Sequence, residues 1–247
     1  MKVAVFGADG RMGGLTCQTV EETPGLELVA RIDLNDSRDG ALGADVVVDF
    51  THPDAVMENL EWCIGQGISA VIGTTGFTPD KLDYVRAKLG TPAKCGVLIA
   101  PNFSIGAVLM MHFSAVAAPY FESVEIIETH HAAKADAPSG TAATTARLVE
   151  EARMAASAAP MPDATSHEVP GARGATINNV RVHSLRLPGI IAQQEVRLTC
   201  TGETLAIVSD ARSRSCFMPG VVQGITWVAD HPGLTVGLEP VLGLREI

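Results

Sequence analysis

Short apolar runs alternate with amphipathic stretches through the first hundred residues of the chain. Five runs rich in β-branched residues predict strands at 2–6, 26–32, 45–50, 68–72 and 97–100. Between them, the pattern predicts a helix after a glycine-rich turn at 7–13 and further helices at 53–65 and 79–89. Strands alternating with helices of this length predict a parallel sheet with helices on both faces.

The pattern changes after residue 103. Residues 104–118 and 141–156 predict helices, and 124–129 predicts a strand between them. Prolines and glycines interrupt 158–175, which predicts a long loop, and such loops are often lids or binding loops. Strand-like runs follow at 180–187, 194–201 and 206–210, and a helix is expected from Pro219 to about Asp230. We expect the last apolar stretch, 234–244, to fold back on the first part of the chain.

Composition and charge narrow the class of protein. A chain of 247 residues can form one large domain or two modest ones, and 47% hydrophobic residues exclude a disordered chain. No apolar run reaches the ~18–20 residues of a membrane helix, and the start MKVAVFG predicts a strand rather than a signal peptide, so we expect a cytoplasmic protein. The net charge of −10 argues against nucleic acid as a partner. Five scattered cysteines without a CxxC pair are expected to be reduced.

The glycine-rich turn is the first candidate site. Gly7, Gly10 and Gly13 follow the first predicted strand and open the first predicted helix. Dinucleotide sites need glycine here because backbone N–H groups must approach the pyrophosphate closely at a helix N-terminus. The spacing is GxxGxxG rather than GxGxxG, so an ordinary strand–turn–helix stays open as the alternative. Asp33, twenty residues beyond Gly13, is placed to accept hydrogen bonds from the adenosine ribose.

Three side chains bear on the choice of cofactor. Asp33 favours NAD, whereas Arg11 is suited to the 2′-phosphate of NADP, although a solvated surface charge is an equally open interpretation of Arg11. Asp9 would repel a phosphate. We expect the chain to use both cofactors, with NADH at least competitive.

Two further loops follow predicted strands, at the sheet edge where open α/β sheets bind ligands. Their small residues and free backbone groups suit a nicotinamide and its carboxamide, with ordinary turn chemistry as the alternative. The residues are Gly73, Thr74 and Thr75 in one loop, and Ala100, Pro101, Asn102 and Phe103 in the other.

The segment from 128 to 141 contains the candidate reactive groups. His130 and His131 lie where a strand ends, and Lys134 lies in the connection that follows. Gly140 and Thr141 begin a helix whose free N–H groups suit a carboxylate. A proton donor, a cation and an anion-binding helix start are the parts needed to bind a small acid and protonate it. A packed histidine is the alternative for His130 alone, and no metal site is expected because HExxH spacing is missing.

The same segment resembles a known family. ETHHAAKADAPSGTA at 128–142 is similar to the pattern E-x-H-H-x-x-K-x-D-x-P-S-G-T-A of the dihydrodipicolinate reductases, with most likeness to actinobacterial members. VIGTTGF at 71–77, APNFSIG at 100–106 and the N-terminal GADGRMG support the resemblance, which extends over essentially the whole chain. The family reduces 4-hydroxy-tetrahydrodipicolinate to tetrahydrodipicolinate with NADH or NADPH, in diaminopimelate and lysine biosynthesis.

The resemblance implies an α/β fold of two domains. Residues 1–103 and 215–247 would form a Rossmann-type dinucleotide-binding domain. Residues 104–214 would form a smaller α+β domain with an open mixed sheet, which binds the substrate and builds a homotetramer.

The resemblance also implies residue roles. His130 matches the proton donor, and Lys134 matches the lysine that binds the substrate and assists protonation. The other matched substrate-binding positions are His131, Gly140 and Thr141. The matched cofactor-binding positions are Gly7, Ala8, Asp9, Gly10, Arg11, Met12, Asp33, Gly73, Thr74, Thr75, Ala100, Pro101, Asn102 and Phe103. Asp9 departs from the glycine or lysine that is frequent in the family, which bears on phosphate affinity.

Two other functions stay open at this point. A different Rossmann oxidoreductase, such as a homoserine or other amino-acid dehydrogenase, is disfavoured by the HHxxK segment with PSGT. A non-catalytic dinucleotide sensor would bind the cofactor without turnover, although the candidate catalytic residues are all present.

Overall fold

The computed structural model describes residues 1–245, so Glu246 and Ile247 of the predicted first-domain segment lie outside the described residues. The described chain forms two compact units. The first contains Met1–Ser104 and Phe217–Arg245, and the second contains Ile105–Cys216.

The first unit is built on a parallel sheet of six strands. Its strands are β1 (Lys2–Phe6), β2 (Glu27–Ile32), β3 (Val46–Asp49), β4 (Ser69–Ile72), β5 (Gly96–Ile99) and β11 (Gly233–Val236). They lie in the order β11-β5-β4-β3-β1-β2, and every neighbouring pair is parallel. All residues of β3, β4 and β5 are buried, as expected for strands covered on both faces.

Four α-helices belong to the described part of this unit. They are α1 (Arg11–Glu22), α2 (Val56–Gln66), α3 (Pro79–Leu89) and α6 (Met218–Ala229). Leu60 of α2 and Val85 of α3 join Phe6 and Ile72 of the sheet in one buried cluster. The helix expected from Pro53 begins three residues later, because the His52 carbonyl accepts hydrogen bonds from the Ala55 and Val56 N–H groups in a preceding turn.

The second unit is a mixed sheet with helices. Its helices are α4 (Ile105–Ala117) and α5 (Gly140–Ala155), and its strands are β6 (Ser123–His130), β7 (Ala175–Ile177), β8 (Val180–Arg186), β9 (Ala192–Cys200) and β10 (Glu203–Ala211). The order is β10-β9-β6-β8-β7, with β6 and β8 parallel and the other pairs antiparallel. The predicted fold class, a Rossmann-type parallel sheet with a second open mixed sheet, is confirmed.

Two strands, β7 and β11, were not predicted as strands. β11 overlaps the start of the last apolar stretch and pairs with β5 of the first sheet. β7 begins at the last residue of the segment 158–175, which was expected to be a loop, and pairs with β8 through a hairpin. The turn residues Asn178 and Asn179 have φ values of 46° and 63°. Two asparagines with positive φ form the type of turn that two-residue hairpins need, so this pair was the available sequence signal.

The long loop before β7 is held by ion pairs. Arg173 pairs with Glu125 on β6 at 2.5 Å and with Asp163 of the loop at 3.4 Å. Asp163 also lies 3.3 Å from Arg181 on β8. These charges therefore attach both ends of the loop to the sheet of its own unit. Across the described helices, we find none with both the length and the apolar character required to cross a bilayer.

Candidate active site

The turn between β1 and α1 is built around glycine. Gly7 has a φ of 77°, and a Cβ on it would lie 2.8 Å from the Phe50 carbonyl oxygen. A Cβ on Gly13 would overlap the Gly7 carbonyl. The turn packs too tightly for side chains at these two positions, and the start of α1, with Gly10 as its N-cap, stays open. This is the arrangement that a pyrophosphate requires.

Asp33 lies directly after β2 and is tied to the glycine turn. Its Oδ2 accepts a hydrogen bond from the Asp9 N–H at 2.8 Å, and its Oδ1 accepts one from the Leu34 N–H at 2.8 Å. The Ile32 carbonyl accepts hydrogen bonds from the Gly7 and Ala8 N–H groups. The acid that sequence reasoning assigned to the ribose is therefore held beside the glycine turn.

Two cavities of the first unit meet at this turn. One of about 660 Å³ is lined by Gly7, Gly10 and Asp33, among others. The other, of about 320 Å³, is lined by Gly10, Arg11, Met12, Gly73, Thr74 and Thr75, together with Phe50, Thr51 and Pro53. Gly10, Phe50 and Thr51 line both cavities. The structure thus brings the glycine turn together with Asp33 on one side and with the 73–75 loop on the other.

Arg11 and Asp33 lie on different sides of the turn. Arg11 lines the smaller cavity with the 73–75 loop, whereas Asp33 lines the larger one. The larger cavity has another arginine, Arg38, which sequence reasoning did not single out. Arg11 is therefore placed less well for a ribose 2′-phosphate beside Asp33 than its position in the turn suggested.

The loop after β5 contacts this region through aromatic rings. Phe103 is 3% exposed, and its ring packs edge-on against Phe50 with the centroids 5.9 Å apart. The Ala100 N–H donates to the Ile72 carbonyl, and the Asn102 side chain accepts from the Ser104 N–H. Within the described residues, the wall of the two cavities does not include Pro101 or its neighbours at 100–103.

In the second unit, His130 forms a pair with a buried glutamate. His130 is the last residue of β6, and Glu128 lies two residues earlier on the same face of the strand. The imidazole Nδ1 lies 2.5 Å from Glu128 Oε2, and the Glu128 side chain is completely buried. When Nδ1–H donates to this carboxylate, Nε2 is left to exchange a proton with a ligand.

Arg186 at the end of β8 holds Glu128 in place. Its guanidinium donates to both carboxylate oxygens, at 3.0 and 2.9 Å, and to the Asp136 carbonyl. The Ser139 N–H also donates to Glu128. β6, β8 and the connection to α5 therefore converge on one carboxylate. Sequence reasoning missed Glu128 and Arg186 as site residues, although the two-residue spacing of Glu128 and His130 was a usable signal.

Burial and the neighbouring polar groups determine the protonation states of Glu128 and His130. Burial acts to raise the pKa of Glu128, but hydrogen bonds from Arg186, Ser184 and His130 outweigh burial and lower this pKa. Burial also lowers the pKa of His130, with smaller contributions from the Lys134 and Arg186 charges, while the Glu128 carboxylate opposes them. Glu128 is thus an ionised partner for an imidazole that gives up its proton readily.

Lys134 is turned toward an acid in its own connection. Its Nζ lies 2.6 Å from Asp136 Oδ1, and its side chain is 20% exposed. The Lys134 N–H donates to the His131 carbonyl, so these two residues share one turn. His131 lies outside β6 and is half-buried, which removes the conflict of two adjacent histidines on one strand face.

The start of α5 completes this group. Gly140 is its first residue, and the Ser139 hydroxyl caps the helix by accepting the Ala142 N–H. The Thr141 carbonyl accepts the Thr145 hydroxyl. Because Ser139 also donates to Glu128, the helix start and the His130 pair are joined directly.

A parallel sheet with a glycine-rich β1–α1 turn and an acid after β2 defines the class of Rossmann-type nicotinamide-dependent oxidoreductases. Two family models cover most of the chain: "Dihydrodipicolinate reductase, N-terminus" matches residues 1–103, and "Dihydrodipicolinate reductase, C-terminus" matches residues 106–242. The chain belongs to the dihydrodipicolinate reductase family, which decides against the amino-acid dehydrogenase alternative.

Individual relatives agree with this assignment. The 4-hydroxy-tetrahydrodipicolinate reductase of Thermobifida fusca is 59% identical over 99% of this chain and 100% of its own length. The enzyme of the same name from Cutibacterium acnes is 54% identical, with the same two coverages. A dipicolinate-bound dihydrodipicolinate reductase from Paenisporosarcina sp. TG-14 superposes with a TM-score of 0.87 at 36% identity, over 97% of this chain and 98% of that one.

Proposed function

We propose that the chain reduces 4-hydroxy-tetrahydrodipicolinate to tetrahydrodipicolinate with NADH or NADPH, as an enzyme of diaminopimelate and lysine biosynthesis. The observation that supports this most directly is the Glu128–His130 pair, joined by Ser139 to the start of α5 and followed by Lys134. Membership in a family whose relatives have this named activity supports the same reaction.

The segments 1–103 and 215–247 are the proposed dinucleotide-binding domain, and the bounds of the first unit, Met1–Ser104 and Phe217–Arg245, lie close to them. Gly7, Gly13 and the two cavities beside the glycine turn fit a dinucleotide, because they leave backbone N–H groups accessible at the start of α1. Asp33 would accept the ribose hydroxyls, and Gly73, Thr74 and Thr75 would hold the nicotinamide end. When bound, the reduced nicotinamide supplies the hydride.

Residues 104–214 are the proposed substrate-binding and oligomerisation domain. Lys134 and the N–H groups at Gly140 and Thr141 would bind one carboxylate of the cyclic substrate, in competition with Asp136 for the lysine. His131 would contact the substrate from the same turn. These groups fix the orientation of the ring, on which much of the rate depends.

His130 is the proposed proton donor. Glu128 fixes the imidazole through Nδ1, which leaves Nε2–H to donate the proton to the substrate carbon that is protonated in the reduction. A bound dicarboxylate adds negative charge, which raises the pKa of His130 and favours the protonated donor. Lys134 assists by stabilising the negative charge of the bound acid.

Three broader properties complete the proposal. The dipicolinate in the Paenisporosarcina relative supports a small dicarboxylate as the ligand. The exposed strand β10 supports assembly into a homotetramer, because it leaves Leu205 on one face and Val208 on the other 38% and 53% exposed. A role in amino-acid biosynthesis supports a location in the cytoplasm.

The reaction can be tested directly. The substrate is generated from pyruvate and aspartate semialdehyde by a synthase, and the oxidation of NADH and of NADPH is followed by absorbance in parallel titrations. We expect both cofactors to be consumed, with NADH at least competitive. Nucleotide binding without any oxidation above background would reject the reductase and favour a dinucleotide sensor.

A further inference from the structure

Asp49 is a buried acid at the carboxyl end of β3. Its side chain has no exposed surface and accepts hydrogen bonds from four neutral donors. Oδ1 accepts the Thr51 N–H at 2.8 Å, the Thr51 hydroxyl at 2.6 Å and the Thr74 hydroxyl at 3.0 Å, while Oδ2 accepts the Asn59 amide at 2.8 Å.

Within residues 1–245, no cation is paired with this carboxylate. Among the described residues, no ion pair includes Asp49. The nearby arginine, Arg38, instead donates from Nε to the side-chain amide oxygen of Asn59, Oδ1, at 2.8 Å and pairs with Glu58 at 3.0 Å. Charged groups this deeply buried are usually paired, so an acid held only by neutral donors is a candidate for a functional charge.

The donors to Asp49 form part of the proposed cofactor site. Thr74 and Thr51 line the cavity of about 320 Å³ with Arg11, and Thr51 also lines the cavity of about 660 Å³. Asp49 therefore lies one hydrogen bond behind the wall of the smaller cavity. The backbone supports the same link, because the Gly73 N–H donates to the Asp49 carbonyl at 2.9 Å.

We propose that Asp49 is a positioning residue of the nicotinamide end: it holds Thr51 and Thr74, and its charge favours the oxidised, cationic nicotinamide ring over the reduced, neutral ring. The inference rests on the proposed use of a nicotinamide cofactor and assigns a function to a residue that does not itself touch the cofactor.

The physical reason is Coulombic. The reduced ring becomes positively charged as the hydride leaves, so a nearby negative charge stabilises the transition state and the oxidised product together. At a separation of roughly 8 Å and an effective dielectric constant of about 20–40, one charge favours the cationic ring about five- to thirtyfold. The phosphates and ribose are common to both redox forms, so their contributions cancel in the ratio of the two dissociation constants.

The test compares NADH and NAD⁺ binding to the full chain and to Asp49→Asn, using the quenching of Trp62 fluorescence, since Trp62 lines the larger cavity. We expect the exchange to weaken NAD⁺ at least about fivefold more than NADH. Asp45→Asn is the matched control. Asp45 directly precedes the same strand, four residues and roughly 13 Å before Asp49, and accepts the Lys2 N–H, so its loss should leave the ratio unchanged.

Two further variants separate position from charge. Thr74→Val keeps the charge and removes one donor, so it should weaken both nucleotides by a similar factor of about three to ten. The double exchange D49N/N59D keeps an amide–carboxylate hydrogen bond and moves the charge toward Arg38. If Asp49→Asn does not fold, this double variant should show a selective loss of NAD⁺ in the same direction but of smaller size, because the charge is moved and not removed.

The outcomes are distinct. Equal losses of NADH and NAD⁺ in both charge variants would mean that Asp49 is merely structural and would overturn the inference, as would unchanged binding in Thr74→Val. A wild-type chain that binds neither nucleotide would overturn the proposed function and this inference with it.

Discussion

At the scale of single residues, Glu128 gives His130 a fixed orientation and a defined free nitrogen. The pair lies at the end of β6, where the strand leaves the sheet. Such a histidine can act as a proton donor, whereas a freely rotating one would have to be ordered at each turnover.

Replacing His130 by Gln should therefore lower kcat by roughly a hundredfold or more, because the proton donor is lost while the shape is nearly kept. NADH binding, measured by fluorescence, should be retained. His183→Gln is the matched control. His183 lies on β8 and also pairs with a glutamate, since its Nε2 is 2.8 Å from Glu125 Oε2. A near-normal rate for His130→Gln would remove His130 from the mechanism.

The pH dependence of kcat provides a second residue-scale prediction. A donor must be protonated, so the rate should fall as pH rises through the pKa of His130. The Glu128 carboxylate raises this pKa against the effect of burial. Glu128→Gln should hence move the fall in kcat to lower pH, as measured by a full pH profile. Glu125→Gln should leave the profile in place, and an unmoved profile for Glu128→Gln would contradict the assigned pairing.

The sequence could predict part of this site. Histidine, lysine and a helix start within a dozen residues were visible, and the structure joins His130 to the helix start through Glu128 and Ser139. Arg186 was not visible, because it comes from a parallel neighbour 58 residues away and only strand pairing brings it to Glu128. The individual roles given to the site residues stay predictions.

At the scale of elements, the β1–α1 turn depends on the close approach of two backbone segments, at Gly7 and at Gly13. Gly13→Ala should displace the start of α1, since its Cβ would overlap the Gly7 carbonyl. NADH affinity should fall at least about tenfold because the helix N–H groups move from the pyrophosphate. Gly14→Ala is the neighbouring control, with its Cβ at 3.4 Å from the Ala8 carbonyl oxygen. Equal affinities for the two variants would argue against the turn as the phosphate site.

Arg186 makes a testable contribution to the second sheet. Its removal in Arg186→Met would leave the fully buried Glu128 carboxylate without its cation, at a cost of about 3–5 kcal/mol in the free energy of unfolding. Arg197→Met removes a more exposed pair with Glu195 and should cost at most about 1 kcal/mol. Urea unfolding measures both, and similar small losses would show that Glu128 does not depend on Arg186.

At the scale of the whole molecule, most elements followed from periodicity. The buried strands β3, β4 and β5 were recognisable as apolar runs because parallel strands are covered on both faces. The short strand β7 was hidden in a segment rich in proline and glycine. Sheet order was not readable from the pattern, because it depends on contacts between distant segments.

The proposed homotetramer leads to a prediction about β10, an edge strand of the second sheet. Val208→Asp places a charge on its exposed face and should shift the assembly toward smaller species, as measured by light scattering coupled to gel filtration. Val29→Asp is the matched control, because Val29 is 37% exposed on β2, one of the two edge strands of the other described sheet. A wild-type monomer would contradict the proposed assembly.

The Asp33 carboxylate accepts hydrogen bonds from two backbone N–H groups, and this has a consequence for cofactor engineering. One carboxylate oxygen accepts the Asp9 N–H and the other accepts the Leu34 N–H. Exchanging Asp33 alone to admit a 2′-phosphate would thus loosen the glycine turn as well as remove a repulsive charge. A redesign for NADPH should begin on the neighbouring surface, around Arg38. Asp33 should be kept until another side chain accepts the hydrogen bonds that stabilise the glycine turn. Because of these two hydrogen bonds, the preference for NADH or NADPH depends on the glycine turn and on Asp33 together.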